Sequence, residues 1–411
     1  MNARCFSVLF ALAVLATATT AEAAVIKVSP GESIQAAIDV AFPGDTILVE
    51  PGVYEETGPG NAFFGLRIST DNLRLIGKVK QGRGDAGKVI LRHINNQETG
   101  VYAAPAACGP EVPVGGCADE LHGFYIRGFT VQDFPGNGIQ TRFVNGFKII
   151  RNESANNEHN GIYPTISANG LVQNNVSYGA LDTAMWVAAS ENVRVIGNEL
   201  YNSPIGLEVN VSLDVEVRHN DIHDNTVGIG LFHPNTAGNL PLPEMGNWVV
   251  EHNNVYRNNT PNFAPEGDFQ AGLPAGVGIL LLGVSDNVVA KNKVENNDFV
   301  GIGVLGWCTA TSTIPRFNCL EKPPVIDDVF YDPSVNNNLV SQNKVSGNGG
   351  SPPTDPEFED IIFLAADLTY FSAGPLAGES SSGNCFEKNK PKNGFTFVSS
   401  EPDGFLPTDG C

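Results

Sequence analysis

The chain has 411 residues, enough for two or three ordinary domains or for one repeat array whose length no single closed core limits. Charged residues are 17% and glycines number 45, a composition without the Ala, Glu, Lys and Leu runs of long helical repeats, so strands and turns are favoured. With 24 basic against 45 acidic residues the net charge is -21, which argues against nucleic acid and anionic lipid as partners and against polyanionic substrates in general.

Residues 1–23, "MNARCFSVLFALAVLATATTAEA", combine Arg4, an apolar run and the small-residue site Ala21-Glu22-Ala23, the pattern of a secretory signal cleaved before Ala24. The mature chain is expected to be secreted or periplasmic. No later apolar run approaches the roughly 20 residues of a membrane span, so none is expected. Loss of the signal removes Cys5 and leaves Cys108, Cys117, Cys308, Cys319, Cys385 and Cys411. An even number in an oxidising compartment reads as three disulfides. Closeness in sequence favours Cys108 with Cys117, Cys308 with Cys319, and Cys385 with Cys411, and no pair has the CxxC spacing of a redox or zinc site.

Residues 24–60 contain "SPGESIQAAIDVAFPGDTILVEPGVYEE". Ser33 is a candidate N-cap, and Ile34, Ala37, Ile38 and Ala41 fall on one helical face, which predicts a short helix closing the open end of whatever follows.

Residues 61–389 carry a repeat. The segments "GFKIIRN", "GLVQNN", "NVRVIGN", "DVEVRHN", "NWVVEHN", "NVVAKN" and "NNLVSQN" each end in Asn, with Asn152, Asn175, Asn198 and Asn220 spaced 23, 23 and 22 residues apart. Asn253, Asn292 and Asn343 follow at wider intervals, as expected where loops interrupt a constant coil. A second set of segments lies between them: "NGIQTRF", "NGIYPTI", "TAMWVAA", "IGLEVNV", "VGIGLFH", "VGILLLG" and "VGIGVLG". Short Val- and Ile-rich runs bounded by Gly and Asn are strands between turns. A coil of this length with about three strands predicts a single parallel β-helix, all-β, in which strands pair coil to coil. Recurrent Asn at one turn suits left-handed backbone and an amide ladder inside the corner. Residues 390–411 depart from the pattern and read as a terminal cap held by the last cysteine pair.

The run "IKVSPGESIQAAIDVAFPGDTILVEPGVYEE" followed by these coils resembles the secreted bacterial right-handed parallel β-helix repeat proteins of the pectin-lyase-like superfold, over roughly Val25 to Asn389. "NDIHDNTVGIGLFHPN" and "NNTPNFAPEGDFQAGLPAGVGILLL" are most similar to a subgroup of exported proteins without an assigned activity. The wider resemblance implies uronate-polymer lyases, mannuronan epimerases, polygalacturonases, phage tailspikes, adhesins and a periplasmic copper-site maturation protein as precedents, a range that fixes fold and leaves function open.

Strand alternation points Ile162 inward and Tyr163 outward. Carried along the stack, the outward column reads Gln140, Tyr163, Met185, Glu208 and Gly230, with Arg142, Thr165, Val187, Asn210 and Phe232 beside it. Tyr163 and Glu208, two coils apart, would flank a sugar ring. Arg142, Tyr163, Asp182 and Glu208 are the candidate catalytic residues, because acid–base chemistry on glycans uses paired carboxyls or a cation with a proton acceptor. Asp182 aligns with Asn137 and Asn160 and would otherwise be one rung of an Asn ladder. Asn210, His159, His233 and Trp307 are the candidate substrate-binding residues. The last two belong to a cleft expected between the loops after "VGIGLFH" and "VGIGVLG", lined also by Glu244, Asp286, Asp327 and Asp328; its acids could hold calcium, the one cofactor considered. His219 and His252, equivalent in adjacent coils, could share a metal, but no third ligand is fixed. The reading is an exported carbohydrate-binding or polysaccharide-processing protein, with a polysaccharide as partner and a lyase, epimerase or glycoside hydrolase as the enzyme classes. A non-catalytic surface or assembly scaffold and periplasmic metal delivery are the alternatives.

Overall fold

The computed structural model describes residues 22–57, 62–80, 84–109, 117–234, 245–311, 319, 325–326, 329–372, 379–391, 396–408 and 410–411. The signal segment lies outside the described residues up to position 21. Among the described residues the chain winds through three long sheets of 12, 11 and 11 strands, every neighbouring pair parallel. One coil shows the path: Val144–Ile150 in the first sheet, Glu153–Ala155 in the second, Asn160–Thr165 in the third, then Ala168–Gln173 back in the first. This is the expected right-handed parallel β-helix.

The core is a set of columns. In the third sheet Ile139, Ile162, Met185, Leu207, Ile229, Ile279, Ile302 and Leu368 stand in register, each fully buried. One apolar side chain per coil, repeated, buries what no single coil could bury alone.

All three corners are tied by polar ladders. At the first, Asn152, Asn175, Asn198, Asn220, Asn253, Asn292, Asn343 and Asn389 each bond the next. Asn198 is typical: its backbone N–H and its Nδ2 both donate to Asn220 Oδ1, at 2.9 and 3.0 Å, and Nδ2 also donates to Val172 O at 3.0 Å. At the second corner Ser203, Asn225, Asn258, Asn297 and Asn348 repeat the pattern and end on Asp367. At the third, Ser167, Ser190 and Ser212 give way to Asn287, Asn338 and Asn384. Only the first ladder was legible in the sequence.

One detail of that ladder differs from expectation. The ladder asparagines do not occupy the left-handed region; the residue before each does, Arg151, Asn174, Gly197, His219, His252, Lys291, Gln342 and Lys388, with φ between 54° and 68°. The exposed residue takes the strained backbone and the Asn keeps its amide turned inward. Gly206 and Gly228 have a different cause: a Cβ on Gly206 would sit 2.7 Å from Asn225 Nδ2 and 2.7 Å from Gly228 O, so the second ladder leaves room for no side chain there.

At the start, the helix Ile34–Asp39 has Ser33 as N-cap and buries Ile34, Ala37 and Ile38 over the open end of the coils. Glu56 holds it in place, accepting from Ser33 Oγ and from the Ile34 N–H. The three cysteine pairs are those expected, with Cα separations of 5.7, 5.4 and 5.0 Å. Among the described residues no helix is long and apolar enough to cross a membrane.

Replacing Asn220 with Ala leaves the Asn198 N–H and amide buried without their acceptor, and should cost about 3 kcal/mol in urea unfolding. His219→Gly, one position earlier at φ 58°, should be neutral or slightly stabilising in the same assay. Equal losses at both positions would mean that the ladder is not what holds the corner.

Candidate functional site

The outward face of the third sheet changes character along its length. Its register gives the outward column as Gln140, Tyr163, Trp186, Glu208 and Gly230, with Arg142, Thr165, Ala188, Asn210 and Phe232 beside it. Met185 and Val187 were expected here, but Asn160 pairs with Thr183 at the same 23-residue interval as Asn152 and Asn175, so both face the core and Trp186 takes the outward place. Three of the side chains expected in solvent are also covered: Arg142 is 8%, Tyr163 8% and Glu208 5% exposed. Glu208 is walled by Phe232, whose ring lies over Gly230 and meets Phe269 edge-on at 5.3 Å.

Asp182 and Glu208 form a buried carboxyl pair. Thr183 Oγ1 lies 3.1 Å from Asp182 Oδ1 and 3.2 Å from Glu208 Oε2, and its single proton can serve only one of them. Burial, reinforced by the Asp182 charge, lifts Glu208 well above the ordinary carboxyl range. Burial likewise pushes Asp182 up to about 6, against the pull of His159. Glu208 is fixed from the far side: Asn210 Nδ2 donates to Glu208 Oε1 at 3.0 Å, and Trp186 Nε1 donates to Asn210 Oδ1 at 2.9 Å. Tyr163 stacks on Trp186 at 4.6 Å. Arg142 Nη1 turns away to donate to Gly109 O at 2.8 Å. Asn210 is fully buried and therefore positions Glu208 from inside the wall.

His159 connects this pair to solvent. Its Nε2 lies 3.5 Å from Asp182 Oδ2, and its side chain is 51% exposed. Its Nδ1 has Asn160 Nδ2 at 2.9 Å as a donor and Asn137 Oδ1 at 3.3 Å as an acceptor. A neutral ring and an imidazolium therefore each find partners on the same two asparagines. Asp182 follows His159 in the stack and is not a rung after Asn137 and Asn160: its N–H donates to His159 O, while Thr183 pairs with Asn160.

His159 lines a cleft of about 530 Å³ that also includes Phe63, Glu98, Gly136, Asn137, Gln140 and Glu158. Glu98, Gly136, His159 and Asp182 are successive rungs of one backbone ladder, and a Cβ on Gly136 would meet Glu98 O at 2.6 Å. Gly136 thus stands where the coils approach too closely for any side chain, between an acid and an imidazole. Phe63 is 46% exposed at the rim and meets Phe64 edge-on, which itself stacks on Tyr102 at 4.4 Å. Sequence reasoning missed Phe63, Glu98 and Glu158, because they precede the strands in turns where the repeat is irregular; "NAFFGLRI", two aromatics opening a strand, was the available signal.

Of the second expected cleft, residues 235–244 and most of 312–328 lie outside the described residues, while His233 and Trp307 stack on each other at 4.9 Å beside Gly283. Both are fully buried, and Trp307 also stacks near Phe269 at 5.9 Å. Trp307 is thus core and not a platform for a sugar. Burial drives His233 down to about 3, which keeps it neutral. Asp286 accepts from Asn337 Nδ2 at 3.0 Å in solvent. Glu244, Asp327 and Asp328 lie outside the described residues. His219 and His252 stand 5.2 Å apart, and among the described residues no group of three or more metal-ligating side chains converges, for calcium or any other ion.

The fold and its outward wall of paired polar side chains define a class, the right-handed parallel β-helix. The family model described as "Right handed beta helix region" matches residues 94–240 and, overlapping, 137–320, together more than half of the chain, and the chain belongs to that family. No curated protein matches it in sequence. Among solved structures it is similar to the A-module of a mannuronan C-5 epimerase from Azotobacter vinelandii, at 14% identity and a TM-score of 0.51, covering 87% of this chain and 91% of that one. A DFA-IIIase from Arthrobacter chlorophenolicus A6 (13%, TM-score 0.48, 91% and 82% covered) and a pectate lyase (14%, TM-score 0.42, 89% and 79%) are also similar. At these identities the likeness is one of fold.

The burial of Asp182 carries a sign. Only the folded chain keeps its proton between pH 4 and about 6, so stability falls as pH rises through that window and the loss is complete above it. Asp182→Asn should therefore unfold no earlier than wild type at pH 4 and gain about 2 kcal/mol or more on it at pH 7. His233 works in the opposite sense, its contribution being lost as pH falls from 6.5 towards 3. Thermal melts of wild type and Asp182→Asn from pH 4 to 8 check this; a variant weakened equally at both ends would show that Asp182 is a structural anion. Trp307→Ala should cost about 3–5 kcal/mol in the same melts, as expected for a truncated core aromatic.

Proposed function

We propose that the chain is an exported polysaccharide-processing protein whose acid–base centre is His159 with Asp182 and Glu208. The observation that carries this reading is the buried carboxyl pair reaching solvent through one imidazole at the floor of a cleft. Other covered carboxyls in this molecule have a main-chain donor, as Glu56 does, or cationic side chains, as Glu251 does with Arg218 and Lys291. Asp182 and Glu208 instead have a hydroxyl, an amide and an imidazole for partners, and both are pushed towards neutral pH. Perturbed groups behind a cleft are where proton chemistry is set up.

In this reading Glu208 keeps the proton that the pair shares, and Asp182 stays ionised against His159. His159 takes a proton from, or gives one to, a glycan lying on the cleft floor. Phe63 offers a ring edge and face to the sugar's C–H surface, and Asn137 and Gln140 offer amides to its hydroxyls. Tyr163, Trp186, Asn210 and Arg142 hold the buried wall. The solved structures of similar fold include a mannuronan epimerase and a pectate lyase by name, which agrees with glycan chemistry on this scaffold. Three cysteine pairs at bonding distance agree with a compartment outside the cytoplasm.

Incubating the protein with a polysaccharide panel and assaying reducing ends, unsaturated products and C–H exchange tests the reading. His159→Gln and Asp182→Asn should each lower turnover roughly 100-fold or more without a fall in melting temperature, Asp182→Asn melting higher than wild type at pH 7. If both variants work as well as wild type, the centre is structural and the chain is a scaffold.

A further inference from the structure

We infer that the glycan segment occupying this cleft carries no carboxylate or sulfate: the substrate is a neutral polysaccharide. This rests on the function proposed above and adds the substrate class. It comes from the charges that face the cleft. Glu98 and Glu158 are both exposed on its lining, and neither makes an ion pair among the described residues. Behind them lie Asp182 and Glu208, with Asp268 close enough for its charge to act on Asp182.

The positive side is nearly empty. Among the described residues the only basic side chain on the lining is His159, whose Nε2 already faces Asp182. Two guanidiniums of the same sheet are engaged by backbone carbonyls. Arg142 donates to Gly109 O, and Arg67 lies 5.7 Å from the Phe64 ring and donates to Ala106 O at 2.9 Å. A uronate residue on the floor would put its carboxylate among these acids with no cation to receive it. A bridging calcium would need several converging oxygens, and no such group of acids and imidazoles converges among the described residues.

What the lining does offer suits hydroxyls. Glu98 and Glu158 accept from them, Gln140 and Asn137 accept and donate, and Phe63 covers the apolar sugar face. Electrostatic selection against anions is also screenable, which neutral recognition is not.

The test uses the full, oxidised chain with a neutral set (a β-glucan, a mannan, a galactan) and an anionic set (alginate, polygalacturonate). Binding is read by calorimetry and turnover by product release, at about 20 mM and about 500 mM salt, which lie on either side of effective screening. Wild type should process a member of the neutral set with affinity changing less than about 2-fold between the two salts, and should bind the anionic set at least 10-fold more weakly at low salt. Glu98→Gln with Glu158→Gln should raise anionic binding roughly 2–5-fold per charge removed at low salt and have no such effect at high salt. Turnover of alginate or polygalacturonate that disappears in Asp182→Asn would overturn this inference and leave the proposed function standing. Turnover of any polysaccharide undiminished in Asp182→Asn, or binding of none, would overturn the proposed function and the substrate class with it.

Discussion

Everything in this molecule follows from one repeated interaction, a buried amide that bonds the same amide one coil further on. A parallel strand pair has no turn to set its register, and a slip of one residue would turn every core side chain to solvent. The ladder at the first corner prevents that slip, because each Asn Oδ1 receives a backbone N–H and a side-chain Nδ2 from the coil before. Two further ladders do the same at the other corners. The loops after Phe232 and Leu305 can then be long and dissimilar, since register is restored at the next Asn whatever intervenes.

That register is also what builds the candidate site. Glu98, Gly136, His159 and Asp182 come from four different coils and share no local sequence pattern, yet the ladder places them one above another. The same regularity sets Tyr163, Trp186 and Glu208 in one column, so that a chain of contacts runs from a ring to an indole to an amide to a carboxyl. The chemistry uses the deviations: a glycine where a side chain would strike the Glu98 carbonyl, a threonine where the column has asparagine, an acid where it has histidine.

How much of this could be read beforehand divides along the same line. Periodicity gave the coil, the first ladder, the capping helix with Ser33, and the cysteine pairs, because each depends on residues close in sequence or repeated at a fixed interval. It failed by one residue at "TAMWVAA": the interval of 22 that holds between Asn198 and Asn220 leads from Tyr163 to Met185, whereas the coil there keeps 23 and puts Trp186 outside. It also treated outward as exposed. Whether an outward side chain meets water depends on the segment 257–275, which returns across the third sheet, and on Phe232 leaning over Gly230; neither is written in the strand itself. For the same reason Trp307 looked like a platform: a tryptophan after a strand, next to a cysteine, is equally a core residue, and only its stacking on His233 decides.

The buried pair is the place where the molecule departs from its own rules. In the asparagine ladders each side-chain amide donates to the next rung and to a backbone carbonyl. At Asp182 and Glu208 two acids share one hydroxyl proton, in a wall where Ala or Thr would pack at lower cost. Burying them destabilises the folded chain above pH 6, and nothing in the solenoid requires it, since the coils before and after close the same turn with His159 and Pro204. A costly arrangement of this kind, set one rung behind an exposed imidazole, is what a proton-transfer centre needs and what a plain wall does not.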